Sequence, residues 1–110
     1  MTGGARIADP ADDRLDDFRR LNDQRFRRRY EGDELFVAEG HVAVDRLIES
    51  GHEIRSVLLA PSRLARFAEQ AAVLASAGVP VLVADREVIA EVVGFDLHRG
   101  VLASARRRPL

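Results

Sequence analysis

The chain has 110 residues, of which 46% are hydrophobic, and its formal net charge is −1. This content suits one folded domain and excludes a disordered chain, and the lack of cysteine excludes disulfides, thiolate catalysis and cysteine-bound metal. All 17 basic residues are arginines, but the near-neutral net charge excludes a generally basic nucleic-acid binder, so any RNA contact must come from local clusters of charge.

The first thirty residues combine a leader with a helical segment that is acidic at its start and basic at its end. Residues 1–11 are predicted to be a flexible leader, and the apolar spacing predicts a helix from about Asp12 to Tyr30. Acids at its start and arginines at its end complement the helix dipole, which is a purely structural explanation. The alternative is that the basic end, with Tyr30, holds RNA phosphates and stacks on a base. The arginines of this basic run are Arg25, Arg27, Arg28 and Arg29.

The rest of the chain alternates short apolar runs with helical stripes. A helix is predicted over residues 41–50, and a second begins at Pro61-Ser62, with Ser62 as N-cap, and ends at Gly78. A short helix follows Asp85 and ends at Gly94. The predicted strands are residues 35–38, 54–60, 81–84 and 100–104. This alternation predicts a compact three-layer α/β/α sandwich around a mainly parallel four-stranded sheet.

Several kinds of functional site have no counterpart in the sequence. It contains no glycine-rich phosphate loop, no dinucleotide fingerprint and no nucleophile elbow, and the three histidines lack zinc-like spacing. We therefore predict no catalytic, cofactor-binding or metal-binding residue on this chain. The apolar runs are too short to span a membrane, and the amino terminus lacks a secretory signal. A cytoplasmic location without a membrane partner is predicted.

Two short motifs stand at opposite ends of the alternating region. Residues 36–40 read FVAEG, and residues 94–102 read GFDLHRGVL. Together they resemble the amino-terminal substrate-binding domain of the SpoU family of RNA 2′-O-ribose methyltransferases. In that family a strand-to-helix turn of the form FxxEG begins the domain core, and a strand with HxG followed by valine or isoleucine ends it.

The resemblance implies a division of labour within a larger enzyme. The whole enzyme would transfer a methyl group from S-adenosylmethionine to a ribose 2′-hydroxyl of rRNA or tRNA. A knotted carboxy-terminal domain, absent from this chain, would hold the cofactor, the catalytic groups and the homodimer interface. Residues 12–105 would form the RNA substrate-binding domain, with a fold like that of ribosomal proteins that bind kinked RNA turns. Residues 106–110 would begin the linker, and the chain alone would be inactive.

The candidate RNA-binding residues lie in the two motifs and in the basic run, which the family also carries. In the first motif they are Glu39, Gly40 and His41. Structurally, Gly40 allows a sharp turn and Glu39 is favoured near a helix start, while the functional alternative is a polar edge that faces RNA. In the second motif they are His98, Arg99 and Gly100. His98 suits an ordinary surface position, whereas Arg99 beside a glycine suits a phosphate contact.

Three functions remain open from the sequence. The first is the RNA-recognition domain of a SpoU-family methyltransferase, with structured rRNA or tRNA, and no DNA, as its partner. The second is a stand-alone RNA-binding or ribosome-associated module of the kink-turn type. The third is a protein–protein interaction domain. Replacing Arg27, Arg28 and Arg29 together by glutamine discriminates the third from the others, because only a protein-binding domain would keep its RNA affinity unchanged.

Overall fold

A computed structural model describes residues 5–19, 35–94 and 100–106 of the chain. In this part of the chain there are five strands and four α-helices, and a 3-10 helix at Asp13–Phe18 lies between the first two strands. The strands are β1 (Ala5–Arg6), β2 (Leu35–Glu39), β3 (Ile54–Leu59), β4 (Val81–Val83) and β5 (Val101–Arg106). The helices are α1 (His41–Ser50), α2 (Pro61–Leu64), α3 (Ala68–Ser76) and α4 (Arg86–Val93).

The strands form one mixed sheet in the order β1-β4-β3-β5-β2. The pairs β1–β4 and β4–β3 are parallel, whereas β5 is antiparallel to both of its neighbours, β3 and β2. Four strands therefore run in one direction, and β5 is inserted between two of them in the opposite direction. The prediction of four mainly parallel strands was wrong in number and in the direction of the last strand. Strand–helix alternation gives the order of the elements, but it does not reveal which way the final strand enters the sheet.

The additional strand, β1, comes from the stretch that the sequence analysis assigned to a flexible leader. Ala5 and Arg6 pair with Leu82 and Val83 of β4, and the adjoining Ile7 is only 2% exposed. The Ile7 amide extends the pairing by donating to the Val83 carbonyl at 2.8 Å. A two-residue strand has no periodicity to detect, so its sequence gave no signal.

Helices cover both faces of the sheet, and the alternation of side chains along the strands divides the core accordingly. On one face, Leu58, Leu82 and Leu102 pack with the 3-10 helix and α4. On the other face, the core contacts α1, α2, α3 and the residues that join them. The strand residues of this second face are Val57, Leu59, Val81, Val83, Val101, Ala103 and Ala105. Every strand residue in these two sets is nearly inaccessible to solvent, as expected for strands covered on both faces.

The helix boundaries follow from glycine and proline. Helix α1 has the predicted bounds and ends at Gly51, whose φ of 79° is left-handed. The helix predicted to run from Pro61-Ser62 to Gly78 is instead divided into α2 and α3 at Phe67, where the backbone leaves helical geometry (φ −98°, ψ 6°). Its N-cap is Ala60 rather than Ser62, with Pro61 in the first turn.

The amino-terminal helix differs from its prediction as well. Its described part is the six-residue 3-10 helix, capped by the Asp12 carboxylate, which accepts from the Arg14 amide. Residues 20–30 of the predicted helix lie outside the described residues. The 3-10 helix is anchored to the sheet because Asp17 accepts hydrogen bonds from Ser104 Oγ and Arg55 Nε, each at 2.8 Å. Across the described ranges, none of the helices combines the length and the apolar character needed to cross a membrane.

Candidate functional site

Polar residues gather at one edge of the sheet, where the four codirectional strands end and β5 begins. We call this the strand-end edge. Ligands bind α/β proteins at the carboxyl ends of their strands, which makes this edge the first place to look for a site. It consists of residues 39–41 after β2, residues 60–63 after β3, Asp85 after β4, and Gly100 before β5.

The two turns singled out in the sequence meet at this edge. The Gly40 amide donates to the Val101 carbonyl at 2.9 Å, and the Ala60 amide donates to the Gly100 carbonyl at 3.0 Å. Both glycines have positive φ angles, 93° for Gly40 and 68° for Gly100, which other residues adopt only with strain. Turns about sixty residues apart in sequence are therefore hydrogen-bonded neighbours in the fold.

Helix α1 begins at the strand-end edge directly after Gly40. Gly40 occupies the N-cap position and, as a glycine, has no side chain with which to cap the first amides of the helix. The first turn also contains no acidic residue. The positive end of the α1 dipole is therefore not neutralised by α1's own cap, and such an end favours anions.

His41, the first residue of α1, lies in an electropositive and partly buried environment. Burial, Arg66 and Arg63 lower the pKa of its imidazole, in that order of importance, and Asp45 opposes them. The ring is tilted against Phe67, with 6.1 Å between the ring centroids. Its Nε2 is shielded from solvent and has no hydrogen-bond partner within the described ranges. Burial and the two arginines therefore favour the uncharged ring, and the arginines are the source of positive charge at this place.

Arg63 packs directly over Gly100. A Cβ atom at position 100 would lie 3.1 Å from Arg63 Cγ and 3.3 Å from Arg63 Nε, closer than such atoms ordinarily approach. The missing side chain of Gly100 thus makes room for the arginine. Arg63 and Arg66 were not among the residues predicted from the sequence. The only signal was their position just beyond a buried strand, at the edge where binding sites form.

The structure locates part of the predicted site. It brings Gly40, His41 and Gly100 together, with Glu39 exposed at the end of β2. The remaining predicted residues fall on segments outside the described residues, so their positions stay predictions. They are Arg25, Arg27, Arg28, Arg29, Tyr30, His98 and Arg99.

The opposite edge of the sheet has a different character. An open cleft of about 560 Å³ lies there, between the 3-10 helix and the starts of β3 and β4. Four acids and two arginines line it, and one arginine, Arg55, is already paired with Asp17 at 2.8 Å. The acids are Asp13, Asp16, Asp17 and Glu53. This excess of negative charge disfavours phosphate, so this cleft is not the anion-binding candidate.

Comparisons with known proteins connect this geometry to a family. The family model described as RNA 2′-O ribose methyltransferase substrate binding matches residues 37–109. An uncharacterized tRNA/rRNA methyltransferase of Mycobacterium bovis is 42% identical over 106 residues, which cover 94% of this chain and 35% of the relative. A counterpart in Mycobacterium tuberculosis is 41% identical over the same length. The chain thus spans about a third of the length of these relatives.

Solved structures show the same fold. The AdoMet-bound rRNA methyltransferase of Sinorhizobium meliloti superposes with a TM-score of 0.70 at 21% identity, over 96% of this chain and 37% of that chain. A structure of an RNA 2′-O ribose methyltransferase superposes with a TM-score of 0.60 at 24% identity, over 96% and 39% of the two chains. With two thirds of its length matched by the family model, the chain belongs to the family of RNA 2′-O-ribose methyltransferase substrate-binding domains.

Proposed function

We propose that this chain is the RNA-recognition domain of a tRNA/rRNA 2′-O-methyltransferase and that its strand-end edge contacts the RNA. The observation that carries the proposal is the junction of the Gly40 and Gly100 turns through the Gly40–Val101 hydrogen bond. These turns belong to the two motifs that identified the family, and their meeting makes one continuous surface from two distant segments. A surface of this kind suits a folded RNA better than an extended peptide, because RNA is recognised mainly through its shape and backbone.

The electrostatics of the edge support an RNA partner. The uncapped start of α1, Arg63 and Arg66 supply positive potential, while Asp85 is neutralised by Arg6 at 2.7 Å. Phosphate contacts of this kind position a nucleic acid without reading its sequence. Glu39, whose carboxylate is exposed, is suited to accept hydrogen bonds from a ribose hydroxyl or a base edge. That role would add selectivity to the phosphate contacts.

The remaining predicted residues extend the same proposal. The His98-Arg99 pair directly precedes Gly100 at the strand-end edge. The basic run precedes β2, whose first residue, Leu35, lies at the opposite edge of the sheet beside Arg106. Its contribution would be to carry the RNA contact beyond the strand-end edge. Within the proposal, the arginines hold backbone phosphates and Tyr30 stacks on a base. The residues concerned are Arg25, Arg27, Arg28, Arg29, Tyr30, His98 and Arg99.

We assign the chemistry of methyl transfer to another part of the protein. Because the chain spans about a third of its relatives' length, the remainder has room for a catalytic domain, the homodimer interface and the site for S-adenosylmethionine, which supplies the methyl group. The domain described by these residues would bind and orient the RNA for that partner domain. We also propose that this takes place in the cytoplasm, where tRNA and rRNA are found.

Binding measurements test this function directly. Fluorescence anisotropy of the chain with labelled tRNA and rRNA transcripts should show saturable binding, with an affinity that falls as salt rises from about 50 to 200 mM. DNA of the same sequence should bind more weakly, because it lacks the 2′-hydroxyls and adopts a different helix shape. Absence of binding at the low-salt end, or equal affinity for DNA and RNA, would contradict the proposal.

A further inference from the structure

The arginines of this chain differ in whether they have a counter-charge. Five described arginines, at positions 6, 14, 19, 55 and 106, each form an ion pair with a carboxylate at 3.0 Å or less. The side chains of Arg63 and Arg66 form no hydrogen bond or ion pair with any residue in the described ranges, and the side chain of Arg46 on α1 shares this property. Arg63 and Arg66 differ from Arg46 because they converge on one place in the fold.

That place lies between α2, the start of α1 and the Gly100 turn. Arg63 is half-buried there, with its Cγ and Nε over Gly100, and Arg66 follows three residues later on the exposed side. Both arginines are close enough to His41 to lower its pKa, so their charges act on the same small volume. Asp45, the acid that acts on His41 from α1, already accepts a hydrogen bond from Gln70 at 3.2 Å.

The Arg63 side chain is partly exposed, and its guanidinium has no acceptor among the described residues. It is therefore available to an anion that approaches from solvent, and an arginine bonded to a phosphate forms a strong, charge-assisted hydrogen bond. The planar guanidinium of Arg63 can donate two parallel hydrogen bonds to two oxygens of one phosphate, which is the geometry in which arginine binds phosphate best. Because Gly100 has no side chain, the Cγ and Nε atoms of Arg63 can lie close against it, which positions the arginine at this edge.

We propose that Arg63 and Arg66 form a binding subsite for one backbone phosphate of the RNA, with Gly100 as the residue that positions Arg63. The inference rests on the proposed function and deepens it, since it names two contact residues outside both sequence motifs. Arg63 makes the directional contact, and the exposed Arg66 adds a second positive charge. The two arginine charges lower the pKa of the neighbouring His41 ring, so an anion bound between them should raise it again.

Glutamine variants test the subsite against RNA. We expect Arg63→Gln and Arg66→Gln each to weaken RNA binding about tenfold at low salt, uniformly across sequences, and to reduce the salt dependence by about one phosphate contact. Arg63→Lys should bind RNA more tightly than Arg63→Gln but less tightly than the wild type, because lysine keeps the positive charge and lacks the planar guanidinium that binds phosphate through two hydrogen bonds. Arg14→Gln is the matched control, since it removes one exposed arginine charge at the opposite edge of the sheet. It should leave RNA affinity unchanged.

A second measurement separates the subsite from the general function. Inorganic phosphate, added while the His41 ring protons are followed by NMR, should raise the His41 pKa in the wild type and have no effect in the Arg63→Gln/Arg66→Gln double variant. If the wild type binds RNA and all three single glutamine variants bind it equally well, the subsite is refuted while the proposed function stands. If phosphate shifts His41 but the variants keep full RNA affinity, the site takes free phosphate and the inference for RNA is refuted. If the wild type binds no RNA, both proposals fall.

Discussion

Replacing Gly100 by alanine tests whether the close packing of Arg63 depends on the absence of a side chain. The new Cβ would lie 3.1 Å from Arg63 Cγ, so the arginine must move by a few tenths of an ångström. Gly78 provides the matched control. Its φ of 82° is also left-handed, but a Cβ built there meets no atom within 4 Å. Gly78→Ala therefore reports backbone strain alone, and Gly100→Ala reports the same strain together with the contact.

The expected losses of stability in the two alanine variants follow from the backbone strain and the steric contact. An alanine in left-handed geometry costs about 1–2 kcal/mol, and the stiffer unfolded chain returns roughly 0.5–1 kcal/mol. Gly78→Ala should thus lower the free energy of unfolding by about 1 kcal/mol, or about 4–8 °C in Tm for a domain of this size. Gly100→Ala should lose a further 0.5–1.5 kcal/mol or so, the usual cost of forcing a side chain away from its rotamer.

Urea unfolding of the two variants, followed by circular dichroism, measures the difference. Repeating both substitutions in an Arg63→Ala background completes a double-mutant cycle. Without Arg63 Cγ and Nε, the additional cost of Gly100→Ala should vanish and the two alanine variants should lose equal stability. Equal losses already in the wild-type background would refute the steric reasoning. Gly100→Ala should also weaken RNA binding, which Gly78→Ala should not.

Three further predictions concern titration and the buried polar network. Because the folded-state pKa of His41 is lowered, charging it opposes folding, so stability should decline as pH falls below about 6.5 and His41→Gln should reduce that decline in urea titrations. The hydrogen bond from Arg14 lowers the pKa of Asp12 to about 2, so Arg14→Gln should move the Asp12 carboxyl titration, followed by NMR, towards its ordinary value, and an unchanged midpoint would contradict this cause. Ser104→Ala removes a buried donor 2.8 Å from the Asp17 carboxylate and should cost about 1.5–3 kcal/mol in urea unfolding. A loss below about 0.5 kcal/mol, the range of ordinary surface changes, would show that Asp17 does not anchor the 3-10 helix through this bond.

The sequence predicted those parts of the fold that depend on local signals. Helix α1 was predicted with its observed bounds, because its apolar stripe stands between Gly40 and Gly51. The strands β2, β3 and β4 were predicted within one residue at each end. In contrast, the break at Phe67 was missed, since the apolar stripe continues through it and only packing of the buried Phe67 ring reveals the division.

The site was also predicted only where local sequence signals existed. The two glycine motifs identified the family, which the comparisons confirmed, and the structure places both glycines at one edge. Arg63 was missed because its importance comes from a contact with Gly100, a residue far along the chain. A single arginine in a short helix has no pattern of its own. Only the pairing of β3 with β5, which the alternation of elements did not predict, brings the two together.

Chemical-shift mapping of the whole chain with an RNA transcript tests the central claim most directly. If the strand-end edge holds the RNA, the largest amide shifts should occur at Gly40, His41, Arg63 and Gly100. The amides of Asp13 and Glu53, at the acidic cleft on the opposite edge, should change little. Shifts concentrated at that cleft, with the glycine turns unaffected, would contradict the account.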